Sequence, residues 1–329
     1  MRSTFAAVTL LGLCAVSGPS AGQGAAPALG LPIACRPGVD CFVQNHFDHD
    51  PGPAAKDHRC GSATYDGHDG IDIRLPTTAA MRRGVAVVAS AAGVVRGVRD
   101  GVEDRAVTSA ADRAAVSDRE CGNGVAVTHA GGWETQYCHM RRGSVVVREG
   151  QAVAAGEKLG EVGLSGWTQF PHAHITVRQG GKAVDPFTGG TAACGQAGRL
   201  LWAPQVAAAL AYRSPQVINA GFAAGPVEMA AVEADVVPRP TRASPALVAY
   251  VRTIGIEAGD RIDMVLTTPD GRELARQAVP PFDRPKAQQL NFIGGRLKTA
   301  AWSPGRYKLT YRITRGGKVV LDRTVETTL

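Results

Sequence analysis

Between Tyr65 and Pro186 apolar residues recur at alternate positions in short runs, and glycine breaks the runs. GVAVVASAAGVV (84–95), GVAVTH (124–129), ETQYCH (134–139), SVVVREGQAVAAGEKLGEVG (144–163) and HAHITVRQGG (172–181) all follow this pattern. A period of two bounded by glycine predicts antiparallel strands joined by hairpins. The region therefore reads as a mainly β domain. DGVEDRAVTSAADRAAVSDRE (100–120) interrupts it with charged, alanine-rich text of weak helical character, an insertion between two strands. A second β-rich text runs over 246–329, with LVAYVRTIGI, RIDMVLTTPDGREL and GRYKLTYRITRGGKVVLDRTVETTL as strands and turns expected at Pro269–Gly271 and Gly316–Gly317. Short strands at this spacing predict a small immunoglobulin-like β-sandwich.

The rest of the chain is organised around these two units. Residues 27–60 are loop-rich, with several prolines and glycines. Residues 199–245 read as short connecting helices followed by a proline-rich linker, VVPRPTRASP. Residues 1–26 combine Arg2, an apolar run from Phe5 to Val16 and a small-residue stretch that includes Pro19. That run is too short to cross a bilayer and has the layout of a signal peptide, with the cut site not sharply marked. Cys14 follows the bulky Leu13, which argues against lipid anchoring. No other apolar run is long enough to span a membrane.

Composition adds the compartment. The 329 residues hold 44% hydrophobic positions, 40 glycines and few aromatics, as many tight turns would require. Six cysteines follow the leader: Cys35, Cys41, Cys60, Cys121, Cys138 and Cys194. An even count in an exported chain predicts three disulfides. Cys121 and Cys138 flank the hairpin GVAVTH–AGG–WETQY and are expected to pair; the other four allow three connectivities. No CxxC spacing supports a cysteine zinc site. The net charge of +7 is spread along the chain and no nucleic-acid motif accompanies it. Such a surface suits either plain solubility or an anionic polymer such as a cell wall.

The chemistry sits in the histidines. His172 and His174 stand two apart in a strand and so share a face. His68 and Asp72 stand four apart in YDGHDGIDIRLP, with Gly70 between them allowing a bend. Two imidazoles and one carboxylate suit Zn²⁺ and leave a fourth position for water, the layout of a hydrolytic site. His139, in TQYCHM at a strand end, is placed to assist as an acid or base. His46, His49 and His58, with Asp48 and Asp50 close by, read as a solvated loop, and His129 as a turn residue. Trp167 and Phe170 either line a groove or pack.

These motifs together resemble the lysostaphin-type, LytM-like zinc metalloendopeptidases of bacterial cell walls. HDGID (68–72), YCHM (137–140) and PHAH (171–174) match that family's three signatures in order, and CGNGVAVTH and EGQAVAAGEKLGEVGLSG match its intervening strands. The resemblance covers roughly 61–190. It implies one zinc per chain held by His68, Asp72 and His174, with His139 and His172 flanking an activated water. It also implies hydrolysis of peptide bonds in peptidoglycan cross-links, most naturally in the periplasm. Gln169–Phe170 depart from the small pair usual before PHxH, so the cleft rim is expected to differ. The 100–120 insertion and the N-terminal segment are both placed to cover the groove. Two rival readings follow from the same text. One is a non-catalytic, self-occluded LytM-like protein that activates another wall hydrolase, with the β-sandwich as its docking surface for a protein partner. The other is a carbohydrate-binding wall protein. The 246–329 unit has no histidine or cysteine and is not expected to hold the chemistry.

Overall fold

The computed structural model describes residues 25–190 and 193–329; residues 1–24 of the expected leader lie outside the described residues. The first unit carries strands β1 (Phe42–Asn45), β2 (Ile71–Arg74), β3 (Ala86–Val88), β4 (Gly93–Arg99), β5 (Asn123–His129), β6 (Trp133–Met140), β7 (Ala152–Val153), β8 (Lys158–Glu161), β9 (His172–Gln179) and β10 (Lys182–Val184). Their main sheet runs β1-β2-β9-β6-β5-β4-β7, with β10 on β9, and every pairing is antiparallel. β3 and β8 form a separate two-stranded ribbon. Alternation sends Ile71, Ile73, Tyr137, Ala173, Ile175 and Val177 into one apolar core with Val125, Val127 and Leu159.

Helix α1 (Thr78–Arg82) follows β2, and α2 (Ala110–Ala115) is the one helical turn the 100–120 insertion forms. Ser109 caps α2, accepting from the Asp112 backbone N–H, and the Asp112 carboxylate reaches back to the Ser109 hydroxyl. The expected hairpin is present: β5 and β6 are joined by Ala130–Gly132, and Cys121–Cys138 bridges its open end. The remaining cysteines pair as Cys35–Cys41 and Cys60–Cys194.

The second unit is a two-layer antiparallel sandwich. β11 (Gln216–Ala223), β12 (Ala246–Ile256) and β15 (Lys286–Arg296) form one sheet. β13 (Arg261–Thr267), β14 (Glu273–Val279), β16 (Arg306–Arg315) and β17 (Lys318–Thr328) form the other. Leu247, Val251, Ile262, Met264, Leu309, Tyr311 and Ile313 fill the space between them. The two expected turns fall between β13 and β14 and between β16 and β17.

Two parts of the chain differ from their reading as loops and linkers. Residues 199–245 do contain short helices, α3 (Pro204–Ala209) and α4 (Met229–Ala234), but β11 lies between them and belongs to the sandwich. Val217, Ile218 and Phe222 suit a strand, and the antiparallel ladder with β12 takes them up. The N-terminal segment, read as loop-rich, also contributes a strand. β1 is an edge strand of the main sheet, and Leu29 and Ile33 are buried in its core.

The two units are joined through buried charge. Arg74 on β2 and Arg252 on β12 are fully buried, and both direct a guanidinium N–H to Glu233 Oε2 on α4. Arg252 also donates to the Pro76 carbonyl at 2.7 Å. Burial pulls the Arg74 guanidinium down to about 9, against the pull of Glu233, so it stays charged at neutral pH. One carboxylate is thus shared by two buried cations. Removing it strands both, so Glu233→Ala is expected to lower stability by about 3 kcal/mol or more in urea denaturation; a loss under about 1 kcal/mol would show that water reaches the guanidiniums.

Candidate metal centre

Antiparallel register brings the first pair together. β2 and β9 set Asp72 directly opposite His174 and Arg74 opposite His172. Side chains opposite one another share a face, so Asp72, His172 and His174 rise from the surface away from the apolar core. His68 reaches the same point from the turn before β2. A Cβ on Gly70 would sit 2.7 Å from Cε1 and Nε2 of the His174 ring and 2.5 Å from the Ile175 carbonyl oxygen. Glycine at 70 therefore makes room for the imidazole as well as for the turn.

His139 arrives differently. Cys138 is opposite His174, so strict alternation would turn His139 to the other face. The register between β5 and β6 shifts here, and His139 takes a left-handed φ of 60°. This bulge redirects the side chain towards the other histidines. Its ring centroid lies 4.6 Å from that of His172 and 6.0 Å from that of His174.

Each imidazole is tied from outside. His68 Nδ1–H donates to the His46 carbonyl at 2.6 Å, His139 Nδ1–H to the Ser165 carbonyl at 2.8 Å, and His172 Nδ1–H to the Phe170 carbonyl at 2.9 Å. A carbonyl can only accept, so these bonds fix the tautomer and turn each Nε2 the other way. His174 is held through the opposite nitrogen. Its Nε2–H donates to Thr176 Oγ1 at 2.9 Å and lies 3.3 Å from Asp69 Oδ1. Asn45 Nδ2 donates to Asp72 Oδ2 at 2.7 Å, which leaves Oδ1 towards the histidines.

The result is a buried trio of inward acceptors. His68 Nε2 lies 3.2 Å from both Asp72 Oδ1 and His174 Nδ1, and His174 Nδ1 lies 2.8 Å from Asp72 Oδ1. With only the outer nitrogens protonated, two lone pairs and a carboxylate oxygen face one another, an arrangement that calls for positive charge, as further protons or as a metal ion. Ligands about 2.0–2.1 Å from a tetrahedral zinc stand about 3.4 Å apart, close to these separations. The donor set, its burial and its outer hydrogen bonds all fit that ion. Charge preferences agree. Burial works to raise Asp72, yet the charges of His68 and His172 and hydrogen bonds from His172 and His174 hold it well below the carboxylate range. Burial works against charge on His174, yet Asp69 and Asp72 raise it to about 9. Cys35, Asp40 and Cys41 also cluster, but there the two sulfurs are spent on each other in a disulfide.

His139, His172 and Asp72 lie on the floor of a groove of about 290 Å³. Gln44, Asn45, Thr64, Tyr65 and Trp167 to Phe170 line it as well, so Trp167 and Phe170 are both groove residues. Arg113 of α2 lies over the outer part of Trp167, 4.1 Å from the ring centroid, and Arg74 lies 4.5 Å from that of Phe170. No residue of 100–120 lines this groove among the described residues; the insertion supports its rim. Burial drives the His139 pKa well down, with the charges of His172 and His174 acting in the same direction. Burial also raises the Tyr65 phenol, with Asp72 and Asp69 adding to it, so it remains a donor.

The second histidine group is not the solvated loop that its sequence suggested. His46 is 2% and His49 6% exposed. His49 Nε2 lies 2.8 Å from Asp185 Oδ2, while His46 and His58 pack against Phe187 and Tyr212. The reason is position: His46 directly follows β1 and lies behind His68. His129 is structural, bonded to the Ala92 carbonyl and Thr135. Sequence reasoning did not single out Asn45, Tyr65, Asp69 or Thr176. Thr176 had a signal, since it continues the His172–His174 face by two.

Residues 66–186 match the model of "Peptidase family M23". Over 71 residues the chain is 42% identical to the cell division protein DipM of Caulobacter vibrioides, which is 20% of this chain and 11% of DipM. Over 121 residues it is 34% identical to the DD-carboxypeptidase/endopeptidase Mpg of Neisseria meningitidis serogroup B, 36% of this chain and 22% of Mpg. The match therefore spans about a fifth or less of these relatives' length. Among solved structures, a catalytic-domain variant of the prophage-encoded M23 protein EnpA from Enterococcus faecalis is 25% identical, with 50% of this chain and 95% of that one covered and a TM-score of 0.32. The stretch that folds around the three inward-facing acceptors is a peptidase family M23 domain, carried here between an N-terminal edge strand and a C-terminal β-sandwich.

Proposed function

We propose that this chain is a zinc-dependent endopeptidase that hydrolyses peptide bonds in peptidoglycan cross-links. The observation that carries the reading is the acceptor trio of His68, Asp72 and His174, with two further imidazoles beside it on the floor of one groove. When bound there, zinc supplies Lewis-acid polarisation of a peptide carbonyl and acidification of a water. The protein's own groups do the rest. Gln44, Asn45 and Gln169 present side-chain amides along the groove, suited to an extended peptide. His139, kept neutral by its depressed pKa, accepts a proton at Nε2. The proton that His139 gains is returned to the leaving amine, while His172, whose Nε2 is 3.3 Å from Asp72 Oδ1, stands beside it to orient the reacting groups. The printed name of Mpg, a DD-carboxypeptidase/endopeptidase, agrees with peptide-bond hydrolysis. Three disulfides and the leader-like N-terminus fit an exported, periplasmic enzyme.

Metal analysis of the purified chain is expected to find one zinc, with His174→Ala reducing it to near zero. Gly70→Ala pushes a methyl group into the His174 ring and is expected to weaken zinc about tenfold or more while the fold survives. Undiminished zinc in both variants would remove His174 from the ligand set.

Digestion of purified peptidoglycan, followed by mass spectrometry for new amino termini, tests the reaction. His139→Ala and His172→Ala are each expected to retain zinc and to lose about 10²–10⁴-fold in turnover. A neutral His139 is the active form, and its pKa is lowered. The acidic limb of kcat/KM should therefore fall below the ordinary histidine value near 6.5, activity being lost only as pH drops through that lower point. Stoichiometric zinc with no cleavage would favour the regulatory protein over the enzyme.

A further inference from the structure

The groove has one lining residue from the far end of the chain. Ala287, the second residue of β15, stands beside it with Gln44, Asn45 and Phe170, although β15 belongs to the sandwich. The contacts that hold it there are built from both units. Phe42 on β1 packs with Ile218 on β11 and Ile254 on β12 in a small apolar cluster of their own. Ile254 pairs with Gln288, the neighbour of Ala287, so this cluster fixes the same end of the sheet. Gln216 donates to the Val43 carbonyl at 3.1 Å, and Glu257 accepts from the Ser62 N–H at 3.0 Å. The Arg74–Glu233–Arg252 group closes the same junction from the β2 side.

We propose that the C-terminal sandwich is a fixed wall of the substrate groove and that Ala287 is a specificity-determining residue. This rests on the endopeptidase reading above and extends it to substrate selection. A methyl group at 287 leaves the sandwich end of the groove open. The opposite walls offer neutral amides and hydroxyls, and among the described residues no lysine or arginine lines the groove. Those groups match the N–H and C=O groups of an internal peptide segment with small side chains. A free chain-terminal carboxylate would find no cationic side chain to receive it. The sandwich therefore acts at the centre without supplying any reacting group: it sets the width of the groove.

The test uses the full chain with zinc. A cross-linked muropeptide dimer is titrated by calorimetry into the His139→Ala protein, so that it is not consumed, and its cleavage is followed in the otherwise unaltered protein. Ala287→Phe is expected to weaken binding about tenfold or more and to raise KM equally, with kcat and zinc content unchanged. Ala287→Ser should behave as the parent, and so should Val320→Phe on the exposed surface of β17. Binding and cleavage by Ala287→Phe within twofold of the parent would overturn the proposal, as would an equal loss in Val320→Phe. If the parent binds the dimer without cleaving it and Ala287→Phe still weakens binding, the catalytic reading fails and the wall assignment stands. If the dimer does not bind the parent at all, the wall assignment fails as well.

Discussion

The centre depends on a set of hydrogen bonds that point away from it. Three imidazoles give their Nδ1–H to backbone carbonyls of residues 46, 165 and 170, and the fourth gives Nε2–H to Thr176 beside Asp69. Each bond removes one tautomer and one ring orientation from those available. What remains is bare nitrogen directed inward in a buried space, with Asp72 Oδ1 among it. Unscreened lone pairs at such separations repel, so the cluster is stable only with positive charge in it. The protein prepares that demand in its backbone. A cation entering this cluster would meet a framework already in place, which is the condition for a ligand set to hold one geometry.

This framework also shows what a linear text can disclose. Period-two alternation carried His172 and His174 to one face, and the register with β2 added Asp72. The β5–β6 hairpin and its disulfide were equally local, because their partners are close in sequence. His139 was harder. Its place was readable from the resemblance, but alternation alone sends it to the wrong face; only the bulge with φ of 60° reverses that. Gly70 was readable as a turn, but its clearance for the His174 ring was not.

The illegible parts share one physical cause, which is contact between segments far apart in the chain. β1 is four residues without a distinctive pattern, and it becomes a strand because β2 offers an unpaired edge. β11 lies hidden in alanine-rich surroundings that read as helical, although Val217, Ile218 and Phe222 suit the edge that β12 offers. His46 and His49 lie among prolines, aspartates and glycines, the composition of a solvated loop, yet both are buried, His46 behind His68 and His49 against Asp185. Composition reports what a segment does alone. It is silent about a carbonyl, such as that of His46, which is valuable only because an imidazole twenty-two residues later needs an acceptor.

The buried charges at the junction extend the same logic from the site to the whole chain. Arg74 shares β2 with Asp72, lies against Phe170 at the groove rim, and is opposite His172 in register. Its counter-charge, Glu233, comes from α4, and the same carboxylate oxygen also pairs with Arg252 of the sandwich. α4 packs on the sandwich, so separating the units would take Glu233 away from Arg74 while Arg252 kept it, and pulling apart a charge pair in this way is costlier than removing apolar side chains from one another. Such a junction is poor as a source of raw stability and good as a specifier of one relative placement. Placement is what a groove wall requires: a residue such as Ala287 can select substrate only if its distance from Asp72 does not drift. Arg252 reaches the Pro76 carbonyl just after β2 and shares Glu233 with Arg74, so the sandwich meets β2 through directed polar contacts, which a mere tether would not need.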